Sequence, residues 1–182
     1  MNQQEKLMTQ QLRDKNSLTY KKLIDDCGDR LLRLAFIVVG DQQIAEDVVQ
    51  ESFLALYQNI ETFRGESSII TWLTRVTINK AKNVLRRKKL KSIDFKEGID
   101  IQDTSPLPEE YLETKEKKVK VRNLLLSLPL KYRDVLYLYY YEEIKIKEIA
   151  DILDLTESGV KSRLKRGREH MKELLVERGV AQ

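Results

Sequence analysis

The chain has 182 residues, 34% of them charged, with 33 Lys and Arg against 29 Asp and Glu for a formal net charge of +4. That length holds one ordinary domain or two small ones, and so mild a net charge does not by itself indicate nucleic acid, so the placement of charge must carry that inference. One cysteine, Cys27, excludes an internal disulfide, and one histidine, His170, leaves no Cys/His cluster for a zinc site.

Met1 to Ser17 is polar with no apolar stretch, which predicts a leader rather than a signal peptide. From Leu18 to Val39 the residues Tyr20, Leu23, Ile24, Cys27, Leu31, Leu34, Ala35 and Val38 step by threes and fours, predicting a helix with Gly28 as a weak point. Gly40 ends it and Asp41 caps the next, Gln42 to about Asn59. This second helix buries Ile44, Ala45, Val48, Val49, Phe53, Leu56 and Tyr57 and exposes Glu46, Asp47, Gln50 and Glu51. A loop, Thr62 to Ser68, leads to a third helix from near Ser68 to near Lys89.

Ser92 to Glu116 contains Gly98, Pro106 and Pro108 and has no periodicity, so it reads as a flexible linker. It is acidic: Asp94, Glu97, Asp100, Asp103, Glu109, Glu110, Glu113 and Glu116 oppose only Lys96 and Lys115, for a net charge of −6. A connecting helix, Lys117 to Leu126, precedes a helix with Pro129 in its first turn that runs to about Tyr141. Next come a short helix with Ile146, Ile149, Ala150 and Leu153 on one face, an Asp154-Leu155 turn and a last helix opened by Thr156. The prediction is an all-α chain: a leader (1–17), a helical domain (18–91), an acidic linker (92–116) and a second helical domain (117–178) that is a helix-turn-helix. The longest apolar runs, Leu34 to Val39 and Val135 to Tyr141, fall far short of the ~20 residues that span a bilayer, and the expected location is cytoplasmic.

In the last helix Val160, Leu164, Gly167, Met171 and Leu174 recur at four, three, four, three and mark the packed side. The opposite side carries Ser158, Lys161, Ser162, Lys165 and Lys172, with Arg166 and Arg168 at its edges. A short helix, a tight turn and a longer helix with a basic N-terminal half form the pattern whose second helix enters the major groove. The alternative is a solvated basic face on an ordinary helical hairpin.

The third helix repeats the pattern. Arg75, Asn79, Lys82, Arg86 and Lys89 fall on one stripe, and Ile69, Leu73, Val76 and Val84 on another. Between Glu66 and Asp94 there are eight cations and no acid, enough to follow a phosphate backbone. Phe63 and Trp72 have the rings to stack on unpaired bases, and Asn79 and Asn83 the amides to read a base edge. For Trp72 a place in the core is an equal reading.

No catalytic arrangement, cofactor motif, metal cluster or small-molecule site emerges. Cys27 lies on an apolar helical face, as a small core residue does. From Asp41 to Glu61 five acids meet no Lys or Arg, so this helix does not contact DNA; it binds a protein partner or is simply solvated. Asp47 and Glu51 are four apart with Gln50 at their edge, the spacing that clasps basic side chains on a partner helix.

The stretches Ala45-Glu46-Asp47-Val48-Val49-Gln50-Glu51, Phe63-Arg64-Gly65-Glu66-Ser67 and Thr71-Trp72-Leu73 resemble the first domain of the ECF (extracytoplasmic function) subfamily of bacterial sigma-70 factors. Leu128-Pro129, Tyr132-Arg133, Glu148-Ile149-Ala150 and Val160-Lys161-Ser162-Arg163 resemble its promoter-reading domain, so the resemblance covers roughly Leu18 to Leu175. It implies a sigma subunit that brings core RNA polymerase to promoters, with Asp47, Gln50 and Glu51 docking on the polymerase clamp helices. It implies that Phe63 and Asn79 hold a base flipped from the −10 element while the basic stripe grips the strand. The last helix, now including Arg163, would read duplex −35 DNA, and the acidic linker would thread the RNA path. An anti-sigma partner, commonly membrane-anchored in this family, is also implied, and no appended C-terminal module is expected. Where the family often has Gly and then Ser at the start of the helix-turn-helix, this chain has Glu143 and Lys145, which puts that helix cap in question. The competing reading is a free-standing dimeric repressor or activator using the same helix-turn-helix.

Overall fold

The computed structural model describes residues 3–91 and 112–177. These are helical with no strand, and they fall into two compact units that divide near Leu90. Residues 92–111, most of the predicted acidic linker, lie outside the described part.

Unit 1 holds four helices: α1 (Gln3–Arg13), α2 (Ser17–Val39), α3 (Gln42–Asn59) and α4 (Ile69–Lys91). The first corrects the sequence reading. The stretch taken for a polar leader is largely a helix, and it packs on α2 and on the single 3-10 turn Ile60–Thr62 that follows α3. Its polarity hides one anchor: Leu12 is completely buried, and Arg13 Nη2 donates to the Phe63 carbonyl at 2.8 Å. Leu7, Met8 and Leu12 are its only apolar residues and Leu7 is exposed, so the stretch carries no sustained apolar stripe for the sequence to show.

Helix α2 begins at Asn16, whose side-chain oxygen accepts from the Thr19 amide. It runs unbroken through Gly28 and ends at Gly40, whose φ of 74° suits a residue without a Cβ. Asp41 Oδ1 then accepts from the Ile44 amide at 3.0 Å and opens α3. Leu23, Cys27, Leu31, Leu34, Ala35 and Val38 form the buried seam of α2 against Ala45, Val48, Val49 and Leu56 of α3. Two expected core residues lie outside it. Ile24 is exposed, and Tyr57 is exposed with its ring edge-on to Tyr20.

Helix α4 starts where Ser68 Oγ accepts from the Thr71 amide. Its buried stripe is Ile69, Leu73, Thr74, Thr77, Ile78 and Ala81, whereas Val76 and Val84 are only half-buried. A search for large apolar residues is drawn off that axis because small and hydroxylated ones carry much of it. Thr74 can be buried because its hydroxyl donates to the Ile70 carbonyl at 2.8 Å within the helix.

Unit 2 comprises α5 (Leu112–Ser127), α6 (Leu130–Tyr140), α7 (Ile146–Leu153) and α8 (Glu157–Glu177). Helix α5 starts five residues before the expected Lys117, so the linker gives way to helix at Leu112. Pro129 stands at the N-cap of α6. Leu124, Leu125, Leu128, Val135, Leu136, Leu138, Ile149, Ile152, Val160 and Leu164 fill the interior. Arg133, also buried, donates from Nη1 to the Leu126 carbonyl at 2.9 Å and ties the end of α5 to α6. Burial without full solvation pulls its guanidinium down to about 10, with Asp134 opposing the shift.

The two interior helix glycines respond oppositely to a methyl group. A Cβ on Gly28 meets only Ile24 Cγ2, at 3.7 Å, whereas on Gly167 it meets Leu136 Cδ1 at 3.0 Å and Tyr132 Cβ at 3.2 Å. Gly28→Ala should therefore stabilise by about 1 kcal/mol through helix propensity. Gly167→Ala should lose about 1 kcal/mol net, because overpacking outweighs the same propensity gain. Urea denaturation of the two variants measures both signs.

The first helix of the helix-turn-helix lacks its cap. Lys145 occupies the N-cap of α7 without a side-chain hydrogen bond, and Glu143 adopts a φ of 52°, a backbone that favours glycine. Lys145→Ser should add about 1 kcal/mol, and Glu143→Gly a similar amount, about 1 kcal/mol. Thermal denaturation that placed both variants below the parent would contradict this account.

Candidate nucleic-acid interface

Unit 2 presents its basic face as the sequence predicts. Val160, Leu164 and Gly167 are buried, which turns Ser158, Lys161, Ser162, Lys165 and Arg166 into solvent. Arg163 is the exception, half-buried along the flank. Asp154, with a φ of 55°, makes the tight turn, and Thr156 Oγ1 caps α8 by accepting from the Gly159 amide at 3.1 Å. Ser158 is engaged at the same cap, its hydroxyl 3.0 Å from that of Thr156. The exposed lysines thus begin one turn inside a capped helix.

In unit 1, Arg75, Asn79, Asn83 and Arg86 are exposed along one side of α4, with Lys82 half-buried beside them. Trp72, also half-buried, sits one turn before Arg75 and Val76 and keeps part of its indole accessible. Phe63 does not match its expected role. Its ring is only 5% exposed, because the turn at Ile60–Thr62 and the hydrogen bond from Arg13 draw the loop inward. The phenyl group packs as core, so of the two aromatics named from sequence Trp72 is the more accessible.

Helix α3 carries the opposite charge. Glu46, Asp47, Gln50 and Glu51 are all exposed. Glu46 accepts from Gln42 at 2.8 Å, and Glu51 Oε2 lies 2.9 Å from Lys80 Nζ of α4, so neither is an open carboxylate. Asp47 has no ion pair among the described residues. One residue on this face escaped the sequence reading. Leu54 is 53% exposed and follows Asp47 by seven positions, two helical turns, on the same side. The 47, 50, 51, 54 spacing was visible in the sequence, but a leucine is read as core until the opposite face is seen to fill it.

The lone cysteine is buried and the lone histidine is exposed. Burial pushes the Cys27 thiol up to about 11, and its Sγ lies 3.0 Å from the Leu23 carbonyl, as in a packed core. His170 stacks on Tyr132 and faces Glu173 at 3.4 Å on an exposed surface. Among the described residues no helix is long and apolar enough to cross a membrane.

Residues 23–91 match the family model for sigma-70 region 2, and residues 118–171 that for sigma-70 region 4. The ECF RNA polymerase sigma factor SigW of Bacillus subtilis is 31% identical over 165 residues, covering 86% of this chain and 88% of its own. The chain belongs to the ECF subfamily of sigma-70 factors. Such factors are transcription regulators that give RNA polymerase promoter-specific initiation. The ECF RNA polymerase sigma-E factor of Haemophilus influenzae is 35% identical over 133 residues, 68% of this chain and 70% of its own. Among solved structures, RpoE bound to the anti-sigma factor NepR from Bartonella quintana superposes with a TM-score of 0.70 at 21% identity, over 86% of this chain and 96% of that one. CnrH bound to the cytosolic domain of CnrY gives 0.69 at 20% identity, over 94% and 96%. At that identity both establish the fold.

If α8 follows duplex phosphates, Lys161→Ala and Lys165→Ala should each weaken binding to promoter duplex and lower the salt slope of binding by about 0.9. Titrations at several salt concentrations read this directly, and an unchanged slope in both variants would remove these lysines from the contact surface.

Proposed function

We propose that unit 1 docks on core RNA polymerase through the acidic face of α3 and holds melted −10 DNA along α4, while α8 of unit 2 reads the −35 element as duplex. The single observation that carries this reading is the segregation of charge within unit 1. Helix α3 exposes Asp47, Gln50 and Glu51 and contains no cation, while α4 exposes Arg75, Asn79, Asn83 and Arg86 and contains no acid. One helix is unsuited to DNA and the other is suited to it. In this division Arg75, Lys82 and Arg86 take phosphates, Asn79 and Asn83 read base edges and Trp72 stacks. Phe63 supports the loop from beneath. On α8, Lys161, Lys165 and Arg166 meet the −35 duplex with Ser162 between them, Ser158 sits at the leading end, and Arg163 reaches in from the flank.

The protein so described is a non-enzymatic subunit of the cytoplasmic transcription apparatus. The domains follow as region 2 over 18–91, preceded by α1, and region 4 over 117–178, joined by the acidic stretch 92–116. Because the two solved relatives were captured with CnrY and with the anti-sigma factor NepR, an inhibitory partner of the same kind is proposed here.

The decisive experiment is reconstituted transcription with core enzyme on genomic DNA, with initiation sites mapped. Asp47→Lys is the cleaner docking variant, because Glu51→Lys would also break the pair with Lys80. It should leave helical content intact, since exposed substitutions usually shift stability by about 0.5 kcal/mol or less, and should sharply reduce co-purification with core polymerase. A folded Asp47→Lys, Leu54→Ala double variant that initiates at parental levels would show that docking lies elsewhere.

A further inference from the structure

Unit 1 contains a polar cavity of about 280 Å³ between α1 and the loop that carries Phe63. Helix α1 lines one side with Lys6, Thr9, Gln10 and Arg13, and the loop Phe63–Gly65 closes the other. Arg13 is fixed there by its bond to the Phe63 carbonyl, while its Nε is buried without a hydrogen-bond partner. Gly65, with a φ of 72°, turns the loop backbone at the rim.

The lining holds three cations, Lys6, Arg13 and Arg64, and no carboxylate. Two of the lining donors already have an acid, since Gln10 Nε2 donates to Asp14 at 3.0 Å and Arg64 faces Glu66 at 4.0 Å in open solvent, which leaves Lys6 and Arg13 as the lining cations that face no acid among the described residues. A concave site lined by the cations Lys6 and Arg13, with an unmatched buried N–H and no acid in its lining, selects an anion with several acceptor oxygens. Its volume is close to the roughly 300 Å³ lower limit of small-ligand pockets, which suits one nucleotide unit and excludes a duplex or a protein segment.

We infer that α1 is part of the nucleic-acid surface and that this cavity takes a nucleotide phosphate, held by Lys6 with Arg13 as the fixed second donor and joined by Arg64 when it exchanges Glu66 for the phosphate. The inference rests on the reading that unit 1 binds single-stranded DNA. It extends beyond the stretch matched to region 2, which begins at residue 23 and leaves α1 out. A strand phosphate and the phosphate of a free nucleotide share the same chemistry, so the test must separate them.

The experiment uses the full chain and a fluorescein-labelled single strand of roughly ten nucleotides, with anisotropy followed over a salt series. Lys6 is exposed, so Lys6→Ala should keep its helical content, and it should lower the salt slope by about 0.7, one single-strand phosphate. Added ATP at constant ionic strength should fail to displace the strand if the source is the strand itself. Displacement from the parent but not from Lys6→Ala would assign the cavity to a free nucleotide and equally support the inference. An unchanged slope and unchanged ATP competition in both Lys6→Ala and Arg64→Ala, with a reduced slope in Arg75→Ala, would overturn the α1 site and leave strand binding by α4 standing. If Arg75→Ala were also without effect, the strand-binding reading would fall, and the α1 site with it.

Discussion

Burial of the apolar seam of α2 against α3 is the constraint on which the exposed faces of unit 1 depend. Each large aliphatic side chain in that seam contributes about 1.5–3 kcal/mol when removed from water, so slipping α3 by one position would forfeit several such terms at once. With Ala45, Val48, Val49, Ser52 and Leu56 held inward, Glu46, Asp47, Gln50, Glu51 and Leu54 are left facing out. The acidic face is therefore a consequence of the core. The same logic applies to α4, where fixing Leu73, Thr77, Ile78 and Ala81 inside places Arg75, Asn79 and Arg86 in solvent.

Unit 2 achieves its geometry by close approach. Gly167 lets α8 come down on Leu136 and Tyr132 of α6, and the basic half of α8 is aimed by that contact. Charge is placed sparingly inside. Arg133 is tolerated because its guanidinium donates to the Leu126 carbonyl in the last turn of α5, one of the groups a helix end leaves without a helical partner. The missing cap at Lys145 and the left-handed Glu143 leave α7 to be held by packing, through Ile149, Ala150 and Ile152, more than by its own ends. Of the two helices, α8 is the well-capped one, and α7 is the one that forgoes its cap.

The two faces of unit 1 are linked through one pair. Lys80 belongs to the basic helix by sequence but is spent on Glu51, across from α4 to α3, so it subtracts one charge from each surface. What is left is a smaller and cleaner division: Asp47 with Leu54 on one side, Arg75 to Arg86 on the other. An exposed leucine beside an open carboxylate is a surface with both an apolar and a charged term, the combination that favours a protein partner over solvent.

Helical spacing alone determined most of the fold: the all-α class, the two domains, the helices α2, α3, α6, α7 and α8 and the basic faces of α4 and α8, because periodic apolar residues must share a side. The glycine at 40 and the caps at Asp41 and Thr156 were equally legible, since their chemistry is local. Three features were decided only by tertiary structure. Helix α1 is anchored by the buried Leu12 and by Arg13, whose partner, the Phe63 carbonyl, is 50 residues away in the chain, a contact that no local pattern encodes. Phe63 turned inward because the neighbouring turn and Arg13 pull its loop down, whereas its sequence context, among polar residues, suggested exposure. Glu51 proved to be paired with Lys80, a contact 29 residues apart, and only the packing of α3 beside α4 brings those two charges within reach of each other.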